Sequence, residues 1–172
     1  MRSALLALAI ALVSAAPAAA QLPSRDRVLA ERAAEAVRGY AQFTIFDDVS
    51  IEVNDGVARL TGWVTAPLKR TDIGARVSRV DGLEEVRNDI VVLPVSPHDS
   101  NLRTRIARAI YNHSAFWHYA SMANPPIHIV VERGRVTLTG QVNNEVERRL
   151  AYALANVEGT FSVTNRLKLD KR

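Results

Sequence analysis

The 172-residue chain has no cysteine. That excludes a disulfide framework, a thiolate zinc site, a thiol nucleophile and a lipid anchor attached through cysteine. Aromatic residues make up only 6%, so a core has to be aliphatic, built from Val, Ile, Leu and Ala. Eight glycines and seven prolines are too few for a collagen or a low-complexity chain. Catalytic motifs are equally scarce: no G-x-S-x-G elbow, phosphate-binding Gly loop or dinucleotide fingerprint occurs.

What is present begins with an address. Met1-Arg2-Ser3 puts one positive charge before a run of small and apolar residues from Ala4 to Ala16, and Ala18-Ala19-Ala20 offers a small-residue cleavage pattern before Gln21. The run is shorter than the ~20 residues needed to cross a bilayer. Residues 1–20 are therefore expected to be a signal peptide cleaved near Ala20-Gln21, leaving a periplasmic or secreted chain that does not span the membrane. The formal net charge of +4 is unevenly spread. Residues 21–95 carry ten basic and twelve acidic side chains, and residues 96–172 carry eleven and six. The second half is the better candidate for meeting an anionic surface. A high pI alone would also suit nucleic acid, but the export signal argues against that partner.

The rest of the chain is one unit written twice. Gly56-Val-Ala-Arg-Leu-Thr-Gly-Trp-Val64 aligns with Gly134-Arg-Val-Thr-Leu-Thr-Gly-Gln-Val142, identical at five of nine positions. Val80-Asp81-Gly82 matches Val157-Glu158-Gly159, and Val86-Arg87-Asn88-Asp89-Ile90 matches Val163-Thr164-Asn165-Arg166-Leu167. The Pro- and polar-rich stretch 94–101 reads as a linker, which gives a first domain at 21–93 and a second at 102–172. Each copy predicts a helix first, Arg27 to Tyr40 or Leu102 to Asn112, with Asn101 or Ser100 able to cap the second. Alternating strands follow, joined at Asp55-Gly56 or Arg133-Gly134. A second helix carries Ile73, Val77 and Val80, or Val146, Leu150, Ala153, Leu154 and Val157, on one face. A last strand alternates Val86, Ile90 and Val92, or Phe161, Val163, Leu167 and Leu169. The expected fold is α+β: two tandem α-β-β-α-β domains, each a three-stranded mixed sheet covered by two helices.

Six glycines read as structural: Gly56, Gly62, Gly82, Gly134, Gly140 and Gly159. Gly56 and Gly134 suit hairpin turns, while Gly82 and Gly159 suit left-handed helix ends. Gly62 and Gly140 either admit a helix close to the sheet or mark a bulge.

The apolar-x-apolar, Gly, x-V/A-x-L-T-G-x-V strand, followed by a helix, a V-x-G turn and a V-x-N-x-I/L strand, resembles the BON domain (bacterial OsmY and nodulation). Both copies match, from about Val28 to Leu169. Copy one departs with Ala58 where a larger aliphatic is usual, and copy two has a longer segment before its first strand. The resemblance implies a non-catalytic envelope module with no cofactor, active in envelope maintenance or osmotic stress. It also implies a phospholipid-binding partner or an interaction, chaperone-like in some members, with other exported or envelope proteins.

The residues themselves offer few chemical sites. His98, His113, His118 and His128 lack metal-ligand spacing and have no counterparts in copy one, so no metal or catalytic residue is assigned. The adjacent pairs Asp47-Asp48 and Glu84-Glu85 read as solvated surface. The segment 114–126 differs, holding Phe116, Trp117, Tyr119 and Met122. Trp117 and Tyr119 suit a membrane–water interface, and Arg103, Arg105 and Arg108 on the preceding helix could meet lipid phosphates. Phe116 is expected to fold onto the core, as Phe43 and Phe46 are in copy one. Trp63 is either a second exposed aromatic or packing between the copies.

Overall fold

The computed structural model describes residues 25–170; the expected signal segment lies outside them. Copy one consists of α1 (Arg25–Arg38), β1 (Asp48–Asn54), β2 (Val57–Val64), α2 (Pro67–Val77), β3 (Glu85–Asn88) and β4 (Val91–Val92). Copy two repeats the order with α3 (Pro97–Tyr111), β5 (Ile127–Glu132), β6 (Arg135–Val142), α5 (Glu145–Ala155), β7 (Ser162–Asn165) and β8 (Lys168–Leu169). Its extra length holds a 3-10 turn (Ser114–Phe116) and a short helix, α4 (Trp117–Ala120). Among the described residues no helix is long and apolar enough to cross a membrane.

Each sheet is mixed, as expected. β2 pairs antiparallel with β1 and parallel with β3 and β4; β6 does the same with β5, β7 and β8. The third position is thus one strand in two pieces, and the repeated asparagine explains the break. The Asn88 side chain accepts from the Ile90 N–H at 3.3 Å and donates to the Arg70 carbonyl of α2 at 2.8 Å. Asn165 binds Leu167 and Arg148 in the same way, at 3.1 and 2.8 Å. These bonds turn Ile90 and Leu167 into the core, where they are 1% and 3% exposed.

Several elements differ from the sequence reading. Helix α3 starts at Pro97, inside the stretch read as a linker, and its cap is Ser96, whose hydroxyl accepts from the Asp99 N–H at 3.1 Å, not Ser100 or Asn101. Pro97 at the first helical position makes that earlier start possible. Helices α2 and α5 end before Gly82 and Gly159; both glycines have positive φ, but in the turn that follows. Val146 and Phe161 face water, 75% and 76% exposed, and the Arg135 guanidinium sits 5.5 Å from the Phe161 ring centre. Ala151 and Ala155 take the innermost positions of α5 instead.

Gly62 and Gly140 have φ of +117° and +100°. A Cβ at Gly62 would lie 2.1 Å from the Asp48 carbonyl oxygen, and one at Gly140 would lie 1.8 Å from that of Pro126. The close neighbour is therefore the backbone leading into the adjacent strand, and not a helix. Both glycines stay in the ladder, paired with Val49 and Ile127, beside the break in the third strand.

The two cores are unequal. That of copy one centres on Leu60, Val64, Ile73 and Val77. That of copy two is larger, holds the fully buried Phe116, and also receives Ile45 and Phe46 from copy one. Phe43 packs on its own core, whereas Phe46 crosses to the other.

Candidate functional site

Helical period decides which arginines of α3 can act. Asp99, Arg103, Ile106 and Ile110 recur at 4-3-4 spacing and share the buried side that packs across β5. Arg103 is 6% exposed; its Nη2 donates to the Val131 carbonyl at 2.6 Å, and burial pulls its pKa down despite the charges of Asp99 and Asp47. It is not available to a lipid phosphate. Tyr119 is likewise withdrawn, at 4% exposure. Its hydroxyl donates to Glu147 at 2.7 Å and accepts from the Asn143 N–H at 2.9 Å. Burial and the Glu147 carboxylate push its pKa up to about 12.

Trp117, Arg105 and Arg108 remain on the surface. Trp117 is 63% exposed and donates its indole N–H to the Asn112 carbonyl at 3.1 Å, one turn beyond Arg108. The same end of copy two exposes Met122 and Val146. There α4 is tied to the segment leading into α5 by the Tyr119–Glu147 bond and by a 3.3 Å contact between His118 Nε2 and Asn143 Nδ2. Copy two thus exposes two arginines of α3, the indole of α4 and the apolar side chains of Met122 and Val146, with the Arg105 guanidinium beside the Gly159 turn.

A second feature lies on the opposite, helix-free side. The open faces of the two sheets border a cleft of about 1190 Å³. Copy one contributes Trp63, Val91 and the Arg59–Asp89 pair, and copy two contributes Thr139, Arg166 and Lys168. Trp63 is half-buried and lines this wall.

The copies are held together by the loop before β1. Asp47, expected on the surface, is 0% exposed. Its carboxylate accepts from Thr44 N and Oγ1 at 2.8 Å, Thr65 N at 2.8 Å, Thr65 Oγ1 at 2.9 Å and Lys69 Nζ at 2.6 Å. Burial alone would raise its pKa, but Lys69 and the threonine donors outweigh that and hold it below the usual value. From this anchor Ile45 accepts from the Ile129 N–H at 2.7 Å. His128 Nδ1 lies 2.6 Å from the Asp47 carbonyl, which can only accept, so that nitrogen carries the proton.

These contacts also close the outer edge of β5. Tyr111 Oη donates to the Ile127 carbonyl at 2.5 Å, Ile45 takes the Ile129 N–H, and Arg103 takes the Val131 carbonyl. In copy one Ala30 and Arg38 occupy the positions of Arg103 and Tyr111, and β1 is more exposed than β5.

One pair of residues escaped the sequence reading. Asp26 and Asp99, in the first turns of α1 and α3, each clasp a hairpin turn. Asp99 accepts from Arg133 N and Gly134 N at 2.8 and 2.9 Å, and Asp26 from Asp55 N and Gly56 N at 3.0 and 3.2 Å. The signal was present: both aspartates precede a core leucine, Leu29 or Leu102, by three residues.

Residues 40–94 and 98–171 each match the family model described as the BON domain. No curated protein matches the chain. Among solved structures, the C-terminal domain of CdsD, a structural protein of the type III secretion system of Chlamydia trachomatis, is 18% identical with a TM-score of 0.33. That match covers 72% of this chain and 57% of the other, so the chain spans little over half the length of that structure. Another CdsD structure from Chlamydia trachomatis is 14% identical, with a TM-score of 0.32, over 80% of this chain and 91% of the other.

Proposed function

The chain belongs to the BON domain family, carrying the domain twice, and from that premise we propose that it is a non-catalytic envelope module whose second copy adheres to anionic phospholipid. The observation that carries this reading is Trp117: a large indole held 63% exposed by its bond to the Asn112 carbonyl, at the end of the helix whose surface carries Arg105 and Arg108. Tryptophan gains from an interface because its ring is apolar and its N–H polar. Each arginine near an anionic surface adds about 1 kcal/mol. Arg103 and Tyr119 act inside the fold instead.

Sedimentation with vesicles tests it. Binding should require anionic lipid and weaken as salt rises. Removing both charges, Arg105→Ala with Arg108→Ala, should weaken binding roughly 30-fold, the equivalent of about 2 kcal/mol, and Trp117→Ala should weaken it without changing the salt dependence. Equal binding to zwitterionic vesicles would refute the reading.

A protein-interaction role is favoured by one feature, the less covered edge of β1, since an uncovered strand edge accepts a partner strand. Suppression of client aggregation by a protein that ignores vesicles would select that alternative.

A further inference from the structure

The cleft between the sheets is not a simple product of the duplication, because its two walls have diverged in chemistry. Trp63 and Val91 of copy one stand where copy two has Gln141 and Lys168, and Asp89 stands where copy two has Arg166. One wall therefore carries the Trp63 ring and the 53% exposed Val91 beside two carboxylates, Asp89, bonded to Arg59 at 2.8 Å, and Asp48, the cross-strand partner of Trp63. The other wall is cationic. Arg166 and Lys168 have no carboxylate partner among the described residues, and the same is true of Arg38 at the rim.

A buried orphan points the same way. Thr139, 8% exposed, lines this cleft, and its hydroxyl, buried just beneath the wall, has no hydrogen-bond partner among the described residues. Its neighbour across the ladder, His128, has its Nδ1 committed to Asp47 and leaves Nε2 as the other ring nitrogen of the same wall. An unpaired buried hydroxyl carries a desolvation cost, which a ligand oxygen would remove. The cleft, at about 1190 Å³, is larger than the ~300–1,000 Å³ of ordinary small-ligand pockets, so a lone inorganic anion would leave most of it wet.

We propose that this cleft binds a single-chain anionic amphiphile, its phosphate or carboxylate head against Arg166, Lys168 and the Thr139 hydroxyl and its apolar body against Trp63 and Val91. The site is on the helix-free side, so it does not rest on the membrane reading of α3 and α4.

The test uses the chain with Trp117→Phe, which leaves Trp63 as the sole indole of the two. Dodecyl phosphate below its micelle concentration should change Trp63 emission saturably, at one molecule per chain. Arg166→Ala with Lys168→Ala should weaken that binding at least about tenfold, in line with the loss of charge-assisted bonds. Thr139→Val should weaken it while raising the thermal midpoint of the free protein, a combination that a purely structural threonine would not give. A saturable response absent altogether, equal affinity for dodecyl maltoside or inorganic phosphate, or unchanged affinity in the Arg166/Lys168 variant would overturn the proposal. Failure to sediment with vesicles while Trp63 still responds would sink only the membrane reading.

Discussion

Replacing Asp47 by Asn is the severest test of how the two copies are joined. The substitution keeps the shape of the side chain but removes the charge opposite Lys69, whose side chain is only 11% exposed. It also forces an amide NH2 against donors, since Oδ2 receives Thr44 N, Thr44 Oγ1 and Lys69 Nζ while Oδ1 receives both Thr65 donors. Breaking a buried pair from one side costs about 3–5 kcal/mol, a large share of the roughly 5–15 kcal/mol available to a folded domain. Urea unfolding followed by circular dichroism at pH 7 should show a loss of about 3 kcal/mol or more. Adding Lys69→Met removes the stranded ammonium, so the double variant should lose clearly less than the two single losses combined.

The pH dependence has a definite sign. Because the folded carboxyl titrates below the ordinary value of 3.8, its contribution is full above that value and is lost as pH falls through the lower folded pKa. The gap between the wild-type protein and Asp47→Asn should therefore narrow as pH drops below about 4. The Ile129 N–H, bonded to Ile45 in the same loop, should exchange faster in the variant. A loss under about 1 kcal/mol at pH 7, or a gap that does not change with pH, would refute the account.

Two further substitutions probe the repeated architecture. Gly140→Ala should cost at least about 2 kcal/mol, because positive φ and a 1.8 Å approach to the Pro126 oxygen both oppose a Cβ; thermal denaturation would register it, and Gly62→Ala should behave alike. Asp99→Ala strands the Arg133 and Gly134 amides, the latter in a buried contact, and should lower stability by about 1–3 kcal/mol in chemical denaturation, while Asp26→Ala, at a more exposed turn, should cost less.

Much of the fold was legible because it depends on local period and turn chemistry. Alternation marked the strands, Asp55-Gly56 marked a hairpin, and the second appearance of L-T-G fixed the equivalence of Leu60 and Leu138. Errors fell where a distant partner decides the matter. Asp47 and Asp48 are neighbours in the chain, yet one is buried because Thr65 and Lys69 come from elsewhere to surround it. Arg103 and Arg105 differ by two residues, hence by roughly 200° around the helix, and only the first meets β5. Phe43 and Phe46 enter different cores for the same kind of reason.

The amino-acid sequence by itself determined the duplication, the order of helices and strands, the aliphatic character of the cores and the family, since each is written in residues close together or in a pattern repeated along the chain. Tertiary structure alone decided which arginines reach water, that the loop before β1 locks one copy to the other, and that two sheet faces of unlike chemistry border a common cleft. Those outcomes depend on the docking of surfaces far apart in the chain, and the free energy of that docking is set by desolvation and hydrogen-bond partners that no local pattern encodes.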